Sequence, residues 1–221
     1  MPRPFEVQLP LEKAYSRNVL FAAQVIDAVT LEPVTRGVDV SVTGLTGRPV
    51  VNNSGYFVFL EERAGAPQKV HVRVTRSPYE DQDVAAPVPP ARLVRIELAP
   101  RVDYPFGAGV TALRGSLIES GIGARVPVTD AEVWLRWIDD DANGTTWIDV
   151  PTHSHTGASG DFACFVRLAP KQSARLTAAG RMRLQLRGRR AGNTLTSLEL
   201  SIPPGRVADA LPPFAWDTFV P

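Results

Sequence analysis

Short runs of alternating apolar and polar residues recur along this chain. The runs 38–42 and 70–74 place valine at every second position, and the run 182–186 alternates methionine and leucine with polar residues. Side chains of a β-strand point alternately to its two faces, so this period of two predicts strands with one buried face and one exposed face. The 17 glycines and 20 prolines are scattered, which predicts many short turns rather than disorder.

The pattern predicts an all-β fold. In the first hundred residues it predicts strands at 19–27, 38–42, 56–60, 70–74 and 93–98, and beyond them at 112–118, 131–137, 147–150, 162–168, 182–186 and 195–200. One short helix is predicted, Ser173 to Ala179, with Gly180 as its C-terminal stop. Many short strands with regular turns are typical of antiparallel β-sandwiches.

A four-residue phrase occurs twice in similar surroundings. Ser54-Gly55-Tyr56-Phe57 is followed 105 positions later by Ser159-Gly160-Asp161-Phe162. Each copy follows alternating apolar residues and precedes an apolar run, which indicates two copies of a module of roughly 100 residues.

The sequence therefore predicts two tandem antiparallel Ig-like β-sandwich domains. The predicted segments are an N-terminal arm (1–18), a first sandwich (19–100), a short linker (101–109), a second sandwich (110–205) and an aromatic C-terminal tail (206–221). The linker is short and contains aromatic residues, so we expect the two sandwiches to touch.

Charge and composition exclude some partners. A net charge of +1 gives no electrostatic case for binding nucleic acid or an anionic membrane. Of the 24 basic residues 21 are arginine, as a GC-rich bacterial genome would give. The single cysteine, Cys164, lies in an apolar run and is expected to be a small buried residue rather than a nucleophile.

The compartment is predicted from what the sequence lacks. The first residues have no apolar stretch behind a basic start, and no apolar run approaches the length of a membrane span. The default expectation is the cytoplasm, with non-classical export left open.

The two repeats resemble the carboxypeptidase regulatory-like (transthyretin-like) β-sandwich. The first copy of that family's pattern is carried by Pro33-Val34-Thr35-Arg36-Gly37-Val38-Asp39-Val40 and Ser54–Phe57. The second is carried by Pro127-Val128-Thr129-Asp130-Ala131-Glu132-Val133 and Ser159–Phe162. The resemblance covers roughly residues 19–98 and 110–202. It implies an accessory, spacer or interaction module rather than an enzyme, and a shared fold does not transfer an activity.

One acidic segment resembles the opening of a calcium loop. Asp139, Asp141, Asn143 and Gly144 place oxygen ligands at alternate positions before a glycine, but Val150 stands where an EF-hand has its bidentate glutamate. The alternative is a hairpin whose Asn-Gly pair makes the tight turn between solvated acids. Calcium therefore enters as a possible ligand at Asp139, Asp141 and Asn143, and no other cofactor is expected.

Three further groups of side chains could carry chemistry. His153 and His155 would share one face of a strand and could chelate a transition metal, or they could belong to a polar turn. Trp134, Trp137 and Trp147 could stack on sugar rings if exposed, or pack in the core. Arg181, Arg183 and Arg187 would line one strand face, either solvated or facing an anionic partner.

Both ends of the chain carry aromatic or apolar residues where polar residues are usual. Phe214, Trp216 and Phe219 must be covered, either by the second sandwich or by a partner. Phe5, Val7, Leu9 and Leu11 alternate and could add a strand to a neighbouring sheet edge.

The sequence favours a non-catalytic structural or adaptor protein that binds other proteins, or further copies of itself, in a larger assembly. Its partner-binding residues are predicted to be Phe5, Val7, Leu9, Phe214, Trp216 and Phe219. The alternative is a carbohydrate- or calcium-assisted ligand-binding module, and a metal-dependent enzyme using His153 and His155 is the third hypothesis.

Overall fold

A computed structural model describes residues 19–45, 47–60, 69–75, 78–85, 93–120, 125–140 and 146–221. These residues form β-strands and a single 3₁₀ turn, Trp216–Thr218, without an α-helix. The all-β class is confirmed. None of the described residues belongs to a helix with the length and apolarity that crossing a membrane requires.

The N-terminal half, residues 19–100, contains two sheets. One sheet has the strand order β3-β4-β1-β7 and the other the order β2-β5-β6. The strands are β1 (Val19–Asp27), β2 (Val38–Val42), β3 (Val50–Val51), β4 (Tyr56–Leu60), β5 (Lys69–Val74), β6 (Gln82–Ala85) and β7 (Leu93–Leu98). Alternate residues of β1, β4 and β7 meet alternate residues of β2 and β5 in one buried core, which includes Phe21, Phe57 and Val72.

The C-terminal half, residues 110–221, also contains two sheets. One has the order β11-β10-β14-β15, with β12 paired to β10 and β16 to β14, and the other has the order β13-β8-β17, with β9 and β18 also paired to β8. The strands are β8 (Thr111–Ser120), β9 (Arg125–Pro127), β10 (Glu132–Ile138), β11 (Trp147–Asp149), β12 (Ser154–His155), β13 (Asp161–Val166), β14 (Met182–Arg190), β15 (Asn193–Thr196), β16 (Leu200–Ile202), β17 (Val207–Asp209) and β18 (Phe214–Ala215). A second core lies between these sheets and includes Leu117, Trp137 and Leu184.

The two halves share a pairing scheme. In each half the first strand pairs antiparallel with the strand that follows the repeated phrase, and parallel with a later strand: β1 with β4 and β7, and β8 with β13 and β17. In the opposite sheet, β2 pairs antiparallel with β5, as β10 does with β14.

The repeated glycines make the same close approach in both halves. Gly55 and Gly160 have φ of +77° and +78°. The carbonyl of Gly55 accepts a hydrogen bond from the Val25 amide, and that of Gly160 from the Leu117 amide, each at 2.9 Å. A methyl group on either glycine would overlap the carbonyl oxygen of that same first-strand residue. Glycine is thus needed both for the positive φ and for the space.

Strand pairing differs from the predicted antiparallel arrangement. The pairs β1–β7, β8–β17 and β8–β18 are parallel, so one sheet of each half is mixed. Local alternation sets the faces of a strand but not the direction of its neighbour, which is decided by long connections.

The helix predicted over Ser173 to Ala179 is wrong. Ala174 forms a bridge with Asp139, and Leu176 forms one with Met182. Gly180, with φ +69°, closes a turn by donating its amide to the Thr177 carbonyl at 2.9 Å. Seven residues are too few to form a stable helix without packing along their length, and this segment instead pairs with the ends of β10 and β14.

The chain beyond residue 195 also departs from the prediction. The strand predicted at 195–200 is broken: β15 ends at Thr196 and β16 begins at Leu200. The segment 206–221, set apart as a tail, supplies β17, β18 and the 3₁₀ turn. It is part of the C-terminal half, because β17 and β18 both pair with β8.

Candidate functional site

Two charged side chains fasten the halves to each other. Arg167, at the end of β13, donates to the Ala28 carbonyl at 2.5 Å and to Glu97 Oε2 at 3.2 Å. Glu80, from the N-terminal half, accepts from the His155 amide through Oε1 and Oε2 at 2.8 and 3.0 Å, and its Oε2 lies 3.1 Å from His155 Nδ1. These hydrogen bonds join the N-terminal and C-terminal halves of the chain directly.

Apolar contact accompanies these charged contacts. Ala28, Ala112 and Phe165 form a small buried cluster that joins the halves, and partly buried residues of the linker region pack against it, namely Phe106 and Val110. The junction between the halves thus contains both an apolar cluster and charged hydrogen bonds.

A buried carboxylate holds the linker to the first half. Asp27, 5% exposed, accepts from the hydroxyls of Tyr104 at 2.5 Å and Tyr79 at 3.0 Å, and from the Val29 amide at 2.6 Å. Burial, reinforced by this carboxylate, raises the pKa of both tyrosines well above their ordinary range. They stay protonated and act as fixed donors.

The linker also contacts the second half. The carbonyl of Tyr104 accepts from Arg114 Nη2 at 2.6 Å, and the Arg114 guanidinium lies over the Phe106 ring, 5.4 Å from its centre. Tyr104 is thus bonded to β1 through its side chain and to β8 through its backbone. The linker is therefore hydrogen-bonded to both halves.

His155 lies at the junction, and its surroundings raise its pKa. Its hydrogen bond to Glu80 raises its pKa against the opposing effect of burial, and Glu132 and Asp130 act in the same direction as Glu80. The charged form of the imidazole is favoured, which strengthens the contact between the halves at lower pH.

The outer face of the sheet β11-β10-β14-β15 carries a ladder of stacked rings and guanidinium groups. The Arg136 guanidinium lies 5.4 Å from the Trp147 ring centre, and that of Arg187 lies 5.5 Å from the Trp134 ring centre. The His153 ring also stacks on Trp134, with the two ring centres 4.4 Å apart. Asp149 accepts from Trp134 Nε1 at 3.1 Å and from Arg187 Nη1 at 3.0 Å.

The three tryptophans of this region differ in how far their side chains are exposed to solvent. Trp137 is buried in the core and Trp134 is buried against His153 and Arg187, so of the two alternatives that the sequence left open, burial is the one observed for these two indoles. Trp147 alone of the three is partly exposed, and Arg136 lies against its ring.

The two predicted metal-binding histidines are held by carboxylates from different halves. His153 Nδ1 lies 2.6 Å from Glu132 Oε1, and His155 Nδ1 lies 3.1 Å from Glu80 Oε2. Within the ranges that the structure describes, no group of three or more His, Cys, Asp or Glu side chains is arranged to hold a metal ion. His153 contacts β10 within the C-terminal half, and His155 contacts the N-terminal half.

The calcium loop is described only in part. Asp141 and Asn143 lie outside the described residues. Asp139 donates its amide to the Thr146 carbonyl at 3.1 Å and forms a bridge with Ala174. Trp147–Asp149 pairs back on β10 across this segment, as the sequence predicts. Calcium binding by Asp139, Asp141 and Asn143 stays a prediction.

The arginine-rich run lies along β14 and is paired with acids. Arg183 bonds Glu199, Arg187 bonds Asp149 and Arg189 bonds Glu132. Arg181, just before the strand, donates to Ser201. Because each of these guanidinium groups already has an acceptor, the face is a cross-strand network rather than an anion-binding surface.

The aromatic rings of the C-terminal segment pack on their own half. Phe219 is buried, lies 5.6 Å from Trp216 between ring centres, and meets Phe214 edge-on at 6.3 Å. Trp216 covers Gly188 of β14, and Phe214 covers Gly115 of β8. We call residues 214–220 the aromatic strap.

The strap also closes a sheet edge. Thr196 and Val220 exchange both backbone hydrogen bonds, at 2.7 and 2.9 Å, so the last residues of the chain pair with β15. Of the two outcomes that the sequence allowed for the tail, packing on the second sandwich is the one observed. Binding of a partner through Phe214, Trp216 and Phe219 stays a prediction, and it is restricted to what Phe214 and Trp216 leave exposed.

The other predicted partner-binding residues, Phe5, Val7 and Leu9, lie outside the described residues. Cys164 is buried on β13, where burial raises its pKa far above the ordinary thiol value. It therefore stays a neutral thiol, as expected for a small core residue.

The junction residues Glu80, Arg167 and Asp27 were missed by sequence reasoning. Their contacts join positions separated by 75, 139 and 77 residues, and no local pattern marks such pairs. The one available signal was an aspartate at the end of a strongly apolar first strand, which hints at a buried carboxylate in need of donors.

Comparison with known proteins does not assign a family. No protein-family model and no curated protein matches the chain. Among solved structures, the Bacillus anthracis TIE protein is similar over 87% of this chain and 33% of that protein, with 10% identity and a TM-score of 0.27. The chain spans about a third of that protein's length, and a likeness at this TM-score supports no conclusion about function.

Proposed function

We propose that this chain is a non-catalytic adaptor made of two tandem transthyretin-like β-sandwich modules, which holds protein partners at a fixed spacing within a larger assembly. The shared pairing scheme and the equivalent Gly55 and Gly160 contacts support two copies of one module. The partners are other proteins or further copies of this chain.

The observation that carries the proposal is that the histidine and cysteine side chains are engaged in contacts within the protein. The chain has three histidines and one cysteine, and all four hold strands or halves together. His71 bridges Thr43 and Asp83, His153 bonds Glu132, and His155 bonds Glu80. Cys164 is buried. A nucleophile or general base needs access to a substrate, and these groups are engaged in the scaffold instead.

The junction supports the adaptor role. Arg167, Glu80 and Tyr104 each make a contact that joins the halves or fixes the linker between them. Flexible tethers need no such contacts, whereas a spacer that sets the distance between two partners does. The partner-binding residues proposed here are those at the ends of the chain: Phe5, Val7 and Leu9, together with the parts of Phe214 and Trp216 that stay exposed. Phe219 was also predicted to bind a partner, but it is buried in the core of its own half.

The proposal is tested by capture of partners from an extract of the source organism. Deleting residues 211–221 would remove Phe219 from the core, so deletion confuses loss of binding with loss of folding. A cleaner set compares the intact chain with the triple variant Phe5→Ser, Val7→Ser, Leu9→Ser and with Leu198→Ser, which changes a leucine that is 74% exposed in the C-terminal half.

We expect the intact chain and Leu198→Ser to recover the same defined set of proteins, or bound copies of the chain, and the triple variant to lose them. Recovery that is equal for all three forms would contradict the role of the N-terminal residues. Recovery of no protein by any form, together with uptake of calcium or a glycan in calorimetry, would replace the adaptor proposal with the ligand-binding alternative.

A further inference from the structure

An apolar row crosses the outer face of the N-terminal sheet. The register places Val50 beside Val58, Val58 beside Ala22, and Ala22 beside Leu93. The neighbouring residues Phe57, Ala23 and Val94 face the core, so these four point the other way. Val50 is 56% exposed and Leu93 is 51% exposed. In a sheet with one face exposed to solvent, the residues on that face are normally polar.

The equivalent row of the C-terminal half contains two charged residues. Val25 and Leu117 make the equivalent contacts to Gly55 and Gly160, so Ala22, three residues earlier, corresponds to Arg114. By register, Val58 and Leu93 then correspond to Ala163 and Asp209. Arginine and aspartate thus stand in the second half where alanine and leucine stand in the first.

One residue of this C-terminal row, Arg114, is contacted by the segment that leads into the first strand of that half. Tyr104 and Phe106 precede β8, and they contact Arg114 through a carbonyl and a ring face. Phe106 and Val110 also pack against Ala112 and Phe165 on the same outer face. The linker therefore packs on part of the outer face of the sheet that follows it, next to Ala28 and Val29 of the N-terminal half.

We propose that the outer face formed by Val50, Val58, Ala22 and Leu93 is the docking site of the chain's own N-terminal segment, residues 1–18. In this proposal the segment packs on the sheet that follows it, as the linker packs on the sheet of the second half. The segment leads into β1 as the linker leads into β8. It offers apolar side chains at alternate positions, Phe5, Val7 and Leu9, which suit an apolar face. The segment itself lies outside the described residues.

Reach and tethering favour the chain's own face over that of another molecule. Phe5 stands 14 positions before Val19, a span of up to about 46 Å when extended. The row of four strands is only about 14 Å wide. Val19 lies three residues from Ala22 on β1, and a short tether gives an effective concentration on the order of millimolar.

This inference goes beyond the proposed function, because it concerns the free chain and stands whether or not a protein partner exists. A partner that binds Phe5, Val7 and Leu9 would have to displace them from this face.

Photo-crosslinking of the full chain tests the site. Benzoylphenylalanine replaces Phe5 or Leu9, and a mixture of isotopically light and heavy protein separates crosslinks within one chain from those between copies. We expect crosslinks within one chain to β3, β4, β1 or β7. Crosslinks to the C-terminal half, crosslinks between copies, or none at all would overturn the proposal.

Limited trypsin digestion gives an independent readout with matched controls. Val50→Lys with Leu93→Lys changes two exposed positions and should leave the fold intact, while cleavage after Lys13 and Arg17 becomes about tenfold faster as the segment is released. The control Val126→Lys with Leu198→Lys alters residues of similar or greater exposure in the C-terminal half and should leave the rate unchanged. Equal rates in both double variants would also overturn the proposal.

Discussion

At the scale of single residues, the aromatic strap depends on two glycines that lie beneath rings. A methyl carbon on Gly115 would lie 2.9 Å from Phe162 Cζ and 3.2 Å from Phe214 Cε2. One on Gly188 would lie 2.6 Å from Trp216 Cζ3. Neither of these glycines has the positive φ that marks Gly55 and Gly160. They are explained by the space that the rings need rather than by backbone conformation.

Replacing Gly188 with alanine should therefore destabilise the protein by about 1–3 kcal/mol, because the methyl group must displace the Trp216 ring. Chemical denaturation followed by tryptophan fluorescence gives the free energy of unfolding. The matched control is Gly107→Ala, where an added methyl group meets nothing within 4 Å and the change should stay within about 0.5 kcal/mol. Equal effects of the two substitutions would show that Trp216 does not rest on Gly188.

At the scale of elements, the aromatic strap acts as the closing piece of the C-terminal sandwich. It pairs with β8 at Phe214 and with β15 at Val220, so it reaches both sheets of this half. Phe219 fills the space between these two contacts and is 6% exposed. The strap thus links the two layers through side chains and backbone together.

Phe219→Ala should lower the free energy of unfolding by about 3–5 kcal/mol, the usual cost of removing a buried phenylalanine ring. Leu211→Ala is the control, since Leu211 is 87% exposed and precedes the strap; it should change stability by no more than about 0.5 kcal/mol. Thermal melts with far-ultraviolet circular dichroism measure both. A Phe219→Ala variant as stable as the parent would mean that the ring does not lie in the core.

Elements differ in how far the sequence predicts them. The strands β2 and β5 were predicted correctly because valine at every second position leaves one interpretation. β17 and β18, with three and two residues, are too short to show any period. The helix predicted near Ser173 rested on propensity alone, which pairing with β10 and β14 overrides.

The candidate site was predicted less well than the fold. The tail aromatics were recognised because uncovered rings at a terminus demand an explanation. The ladder on β10 and β14 was not, since it depends on which side chains face each other across three strands. The local sequence around Trp134 is the same whether its indole is buried or exposed, so the sequence does not distinguish the two cases.

At the scale of the whole molecule, charged contacts, a small apolar cluster and a hydrogen-bonded linker join the two halves. Glu80 and Arg167 lie on opposite sides of the junction, one from each half. The contacts of Glu80 include a titratable partner, so the strength of the junction depends on pH.

The pKa of His155 is raised above its ordinary value of 6.5 by Glu80. Its stabilising contribution is therefore fully present below about pH 6.5 and is lost as the pH rises through the raised pKa. We expect His155→Asn to destabilise the chain more at about pH 6 than at about pH 9. Denaturant unfolding at both values measures the difference.

The control for this prediction is the same substitution in a Glu80→Gln background, where the difference between the two pH values should shrink. The backbone amide of His155 still bonds residue 80 in that background, so the halves should stay joined. A pH dependence of the same size with and without Glu80 would assign it to another group.

The central claim, that the two sandwiches form a rigid spacer, is tested most directly by the distance between spin labels on the two halves. Labels at Asp39→Cys and Leu198→Cys occupy exposed positions, and the buried Cys164 should not react. Electron–electron double resonance should give a single narrow distance distribution, which broadens when Arg167→Met and Glu80→Gln remove the charged contacts. A distribution that is already broad in the parent chain would contradict the rigid junction and with it the adaptor that sets a fixed spacing.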